Sequence, residues 1–156
     1  VKDRIRKLDG HGNASGRPIR LVVAALILRT ISGEDSRRTE VLVCQRRPDQ
    51  PMSLKWEFPG GKIEPGETAE QALARELDEE LGIVATIGRR VAQLRHRYRN
   101  GGTIDLQFFV VESFEGELEN RIFNTMQWTP LDELLALDFL AADHTLIRDL
   151  ADGKLL

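Results

Sequence analysis

Four carboxylates stand within five residues at Glu76, Asp78, Glu79 and Glu80, in a stretch that reads RELDEELG from Arg75 to Gly82. On a helix, positions i, i+3 and i+4 place Glu76, Glu79 and Glu80 on one face, while Asp78 is turned about 200° from Glu76. Charge of this kind opposes helix stability. A like-charged i,i+4 pair such as Glu76 and Glu80 costs roughly 0.2–0.5 kcal/mol, and an acid in the last turns forgoes the roughly 0.3–1 kcal/mol that a cation would gain there. Two readings follow. The face is solvated and inert, or three convergent hard oxygen donors await Mg²⁺ or Mn²⁺, with water and phosphate oxygens completing the shell.

The elements around these residues favour the second reading. Just upstream lies EFPGGKIEPGE, residues 57–67, whose paired glycines permit a sharp turn and close backbone approach. Thr68 and Gln71 form a capping-box pattern, which predicts a helix over Ala69–Leu81 stopped by Gly82. Leu73, Leu77 and Leu81 give that helix one apolar stripe to bury. Before the loop, Ile19–Arg29 reads as a central strand with residues 40–47 as its neighbour, joined by a polar hairpin loop over 31–40, and a short strand is expected near Lys55–Phe58. After the helix, residues 83–98 and 103–114 read as an antiparallel hairpin about an RNGG turn. A strand near Met126–Thr129 follows, then a helix opened by Pro130 and a last helix capped by Asp143 and ending near Leu150. The order predicts α/β (α+β) architecture, a mixed sheet packed against helices.

Composition sets the outer bounds. A chain of 156 residues fits one domain over 18–156, preceded by an expected loose arm over 1–17. The net charge of −3 predicts neither a nucleic-acid polymer nor a membrane surface as partner. The apolar run LVVAALIL, residues 21–28, is about half the length needed to cross a bilayer and reads as a buried strand. A single cysteine, Cys44, excludes an internal disulfide and reads as a buried strand thiol, which suits a cytoplasmic protein. His96 and His144 read as isolated surface residues, and His11 falls in the arm.

From Gly61 to Ile83 the chain reads GKIEPGETAEQALARELDEELGI, and this resembles the Nudix box. Gly61 is followed after five residues by Glu67, after seven more by Arg75, Glu76 and Leu77, then by Glu79, Glu80, Gly82 and Ile83. The resemblance implies the Nudix fold, a mixed β-sheet sandwiched between helices. It implies hydrolysis of a nucleoside diphosphate linked to another moiety, with Mg²⁺ or Mn²⁺ held by Glu76, Glu79, Glu80 and the carbonyl of Gly60. Glu67 and Arg75 would orient those carboxylates, and Lys62 would approach the phosphates unless it is a plain loop lysine. The general base stays open between Glu76, Glu79 and a glutamate from the loop before the late strand, where alignment places Ile122 and Glu119 lies three residues earlier.

Over about residues 18–152, through CQRR, WEFPGGK, VVESFEGE and the closing DFLAADHTLI, the chain resembles the MutT type, the nucleoside triphosphate pyrophosphohydrolases that remove 8-oxo-dGTP. That similarity implies Arg47 and Phe58 in the nucleotide pocket, with Tyr98 as a second wall, although Phe58 also suits the core and Tyr98 a plain strand position. Where this type presents an asparagine to the purine, the chain has Asp143, whose carboxylate accepts hydrogen bonds and donates none. Asp143 therefore suits a base edge bearing donors, as in guanine or cytosine, and equally suits a helix cap. The expected substrate is 8-oxo-dGTP, with CTP or dCTP, other nucleotides and dinucleoside polyphosphates as alternatives. A non-hydrolytic Nudix binding module is the reading from a different class, and the full set of box glutamates argues against it.

Overall fold

The computed structural model describes residues 18–156; the arm expected over 1–17 lies outside the described residues. The run expected as one strand over Ile19–Arg29 is two, β1 (Ile19–Leu26) and β2 (Leu28–Ser32), and they belong to different sheets. Burial explains the division. Val22, Ala24 and Leu26 enter one core cluster while Val23, Ala25 and Ile27 enter another, so β1 is apolar on both faces, as a strand covered on both sides must be. Beyond Ile27 the chain becomes exposed, and β2 pairs with β3 (Arg37–Gln45) in a hairpin. The polar loop expected over 31–40 shrinks to a turn closed by the Gly33 N–H donating to the Ser36 carbonyl at 2.7 Å.

The first sheet has the order β5 (Gly60–Lys62), β1, β7 (Thr103–Glu115), β6 (Val84–Arg97). Its β1 and β7 run parallel and its other pairs antiparallel, so the sheet is mixed. In the second sheet β3 pairs with β2, with β4 (Trp56–Glu57) and with β8 (Thr125–Pro130). The neighbours of β1 are thus β5 and β7, and β3 is not among them.

Two helices close the sandwich. On one side α1 (Ala69–Leu81) buries Leu73, Leu77 and Leu81 against Val23, Ala25, Ile27, Leu42 and Phe109. Its capping box forms as expected, with the Gln71 N–H donating to Thr68 Oγ1 at 3.1 Å and the Thr68 N–H donating to Gln71 Oε1 at 2.9 Å. On the other side α2 (His144–Ala151) sets Leu146, Ile147 and Leu150 against Val22, Leu26, Val43 and Phe108. Pro130 ends β8 and is followed by 3-10 turns over Leu131–Ala136, where a helix is expected. Cys44 is buried in β3. Among the described residues no helix is long and apolar enough to cross a membrane.

Candidate active site

β5 brings the glycine loop against the acidic helix. Its register pairs Ala24 with Gly60, Val23 with Gly61 and Val22 with Lys62. A Cβ at Gly60 would collide with the backbone of Val23, and a Cβ at Gly61 would fall inside the Glu76 carboxylate. The Gly60 N–H donates to Glu80 Oε1 at 2.9 Å. Glu76 and Glu80 are 2% and 1% exposed. Burial pushes the Glu80 carboxyl up to about 7, and the neighbouring carboxylates of Glu76 and Glu57 push the same way. Burial also raises Glu76, against the lowering effect of Arg75. Within this pair Glu76 Oε2 is buried with no hydrogen-bond partner. A buried, unpaired carboxylate oxygen is costly, and a hard divalent cation is the partner its chemistry fits.

Arg75 ties the site together. Its guanidinium donates to both oxygens of Glu67 at 2.7 and 2.9 Å, to the Lys62 carbonyl at 3.0 Å and to Glu76 Oε1 at 3.0 Å. This fork lowers the Glu67 carboxyl below the ordinary carboxylate range, helped by the Glu64 N–H. Glu79 departs from the expected convergence. Its side chain is about half exposed and reaches Arg75 at 3.4 Å, and among the described residues no three acidic, histidine or cysteine groups gather into a metal-holding set. The Glu79 carboxylate instead shares the Arg75 guanidinium with Glu67 and Glu76.

The segment from Lys55 to Gly60 leads from this cradle to a cavity of about 520 Å³. Lys55, Tyr98, His96, His144, Phe139 and Ala142 are among its walls. At about 3.3 Å of rise per residue, five residues span at most about 17 Å, the reach of a nucleotide with its base at one end and its phosphates at the other.

A match to the NUDIX domain family covers residues 20–150. The chain belongs to that family. It is 38% identical over 127 residues to a CTP pyrophosphohydrolase of Escherichia coli K12, covering 81% of this chain and 87% of that protein. It is equally 38% identical over 115 residues to the 8-oxo-dGTP diphosphatase of the same organism, covering 74% and 88%. The solution structure of the E. coli ORF135 protein superposes with a TM-score of 0.72 at 36% identity, covering 88% of this chain and 91% of that one. As a Nudix hydrolase the chain is an enzyme of the pyrophosphohydrolase type.

Tyr98 lines the cavity. Phe58 is fully buried, edge-on to Phe108 at 6.2 Å and 5.4 Å from Phe139, so it backs the cavity wall and Phe139 forms it. Arg47 is exposed and pairs with Asp49 at 3.2 Å; the inward arginine is Arg46, 1% exposed, bonded to buried Glu57 at 3.1 Å and to the Pro51 carbonyl at 2.9 Å. Alternation along β3 and into the following residues explains which arginine turns in. Asp143 is fully buried beneath the cavity residues Ala142 and His144, and its side chain makes no capping bond to α2. Lys62 is half-buried beside a separate surface cavity bounded by Ile19, Leu21 and Pro65.

His96 and His144, expected as isolated surface residues, share the cavity wall. His96 stacks edge-on against Tyr98 at 4.8 Å, and His144 Nε2 lies 3.0 Å from the Phe139 carbonyl. Their separation of 48 positions in the chain hid the pairing. Ile122 packs into the α1-side core, while Glu119 is exposed near the end of α1.

Proposed function

We propose that this Nudix enzyme hydrolyses a (deoxy)nucleoside triphosphate, 8-oxo-dGTP foremost, to the monophosphate and pyrophosphate with Mg²⁺ or Mn²⁺. The observation that carries the reading is buried Glu76 Oε2, unpartnered against Gly61, one short segment away from a cavity with room for a nucleobase. Glu76 and Glu80 would hold the cation, with Glu79 joining on release from Arg75 and the Gly60 carbonyl contributing from the loop. The cation supplies neutralisation of the substrate phosphates and of charge developing on the leaving group. Arg75 and Glu67 orient Glu76, and the bond from Arg75 to the Lys62 carbonyl keeps β5 fixed relative to α1. Tyr98, Phe139 and His144 enclose the base. Lys62 and Arg47 reach the substrate only with movement of their side chains, so they stand behind the other residues as binding candidates.

Hydrolysis of CTP or dCTP is the second reading. It is favoured by the CTP pyrophosphohydrolase relative, which matches over more of the chain than the 8-oxo-dGTP diphosphatase does; Asp143, fully buried behind the cavity wall, does not choose between the two bases. A panel of (d)NTPs, 8-oxo-dGTP and dinucleoside polyphosphates, assayed for pyrophosphate and monophosphate with added Mg²⁺, separates these readings. Nucleotide binding without pyrophosphate release from any member would establish a binding module instead.

A further inference from the structure

The last turn of α1 carries Asp78, Glu79 and Glu80 and has no basic residue of its own. A helix end leaves carbonyls without intrahelical partners and favours a cation. Here the Asp78 carbonyl already accepts from the capping Gly82 N–H at 3.0 Å, and the loop between β7 and β8 adds a second donor there, partners for two later carbonyls, and the cation. Arg121 Nη1 donates to the Asp78 carbonyl at 3.0 Å, the Arg121 N–H to the Glu80 carbonyl at 3.3 Å, and the Glu119 N–H to the Leu81 carbonyl at 2.8 Å. Arg121 Nε also bonds Glu119 Oε2 at 3.0 Å, which fixes the guanidinium's orientation. The fit is tight enough that a Cβ on Gly82 would stand 2.7 Å from Arg121 Nη2. A side chain at Gly82 is disfavoured by its left-handed φ of 68° and would also push the Arg121 guanidinium out of place.

We propose that Arg121 is a positioning residue for the metal-binding turn. By reinforcing the Gly82 cap at the Asp78 carbonyl and bonding the Glu80 carbonyl through its own N–H, it fixes the pitch of the last turn of α1 and so the aim of the Glu79 and Glu80 side chains. The inference rests on the metal assignment above and goes beyond it by assigning a cation outside the Nudix box to the site's geometry. Sign separates this role from simple electrostatics. Removing a positive charge near carboxylates would tighten cation binding through Coulomb's law, whereas loosening the turn that aims them would weaken it.

The test compares wild type, Arg121→Ala, Arg121→Lys and Glu119→Gln as metal-free full-length proteins, titrated with Mn²⁺ and followed by the signal of free Mn²⁺, with amide exchange read at Gly82. Arg121→Ala should bind Mn²⁺ about 10-fold or more weakly, in line with the usual effect of groups that orient metal ligands, and its Gly82 amide should exchange faster. Arg121→Lys should recover most of the affinity, and Glu119→Gln should bind as wild type does, because a glutamine Oε1 can still accept from Arg121 Nε and keep the guanidinium aimed. Unchanged or tighter Mn²⁺ binding by Arg121→Ala, or unchanged exchange at Gly82, overturns the proposal. A wild-type protein that takes up no Mn²⁺ overturns the metal assignment, while exchange at Gly82, which involves no metal, still decides the clamp.

Discussion

The carboxylate of Glu76 stands 2.4 Å from where a Cβ on Gly61 would be. A glycine on the edge strand and a glutamate fifteen residues later on the helix thus share one volume, and neither can change independently.

Gly61→Ala should displace Glu76 rather than unfold the domain. Overpacking of this kind costs about 1–3 kcal/mol, and misplacing the carboxylate should lower turnover about 10–100-fold. Thermal melting and steady-state kinetics with Mg²⁺ check both halves; a variant with normal kcat would remove Glu76 from the site.

Glu80→Gln should abolish turnover and leave the fold as stable or more so. A glutamine Oε1 can still accept from the Gly60 N–H, and the buried charge is gone. Because burial raises the Glu80 carboxyl from 4.5 to about 7, the folded state binds more protons than the unfolded state between those values, and stability falls as pH rises through that window. The loss at pH 8 is on the order of 3 kcal/mol. Glu67 acts with the opposite sign. Its lowered carboxyl contributes stability above the ordinary carboxylate range that is lost as pH falls. Urea titrations of metal-free protein from pH 4 to 8 should show wild type declining toward pH 8 and Glu80→Gln declining less, the remainder coming from the raised carboxyl of Glu76.

Two adjacent arginines should behave differently. Arg46→Met leaves Glu57 buried without its ion-pair partner and should cost about 3–5 kcal/mol, whereas Arg46→Met with Glu57→Leu should recover most of that loss. Arg47→Ala should change stability by less than about 0.5 kcal/mol. Equal effects in chemical denaturation would contradict the burial of one side chain and the exposure of the other.

Tyr98→Ala should raise KM for the preferred nucleotide about 10-fold and leave kcat within a factor of about 3, since stacking on a base is worth roughly 1–3 kcal/mol and Tyr98 stands on the cavity wall apart from the carboxylates. A fall in kcat at unchanged KM would place the base elsewhere.

What was legible depended on range. The helix over Ala69–Leu81, its Thr68–Gln71 cap and its Gly82 stop follow from residues a few positions apart, and they stand where expected. The β6–β7 hairpin is local in the same sense. The division of Ile19–Ser32 into two strands was not legible, because an apolar run carries no mark of where one sheet ends and the next begins. The side chains of Arg46 and Arg47 differ only in direction, and that direction is set by the registry of β3 with β4 and β8.

By itself the sequence determined the family and the set of carboxylates, because the box lies within 23 consecutive residues and its helical spacing is a local property. The tertiary structure decided which of those carboxylates are buried, which arginine turns inward, and that His96, Tyr98, Phe139 and His144 enclose one cavity. Burial and convergence of distant side chains arise only when two sheets and two helices pack, and no spacing along one chain encodes them directly.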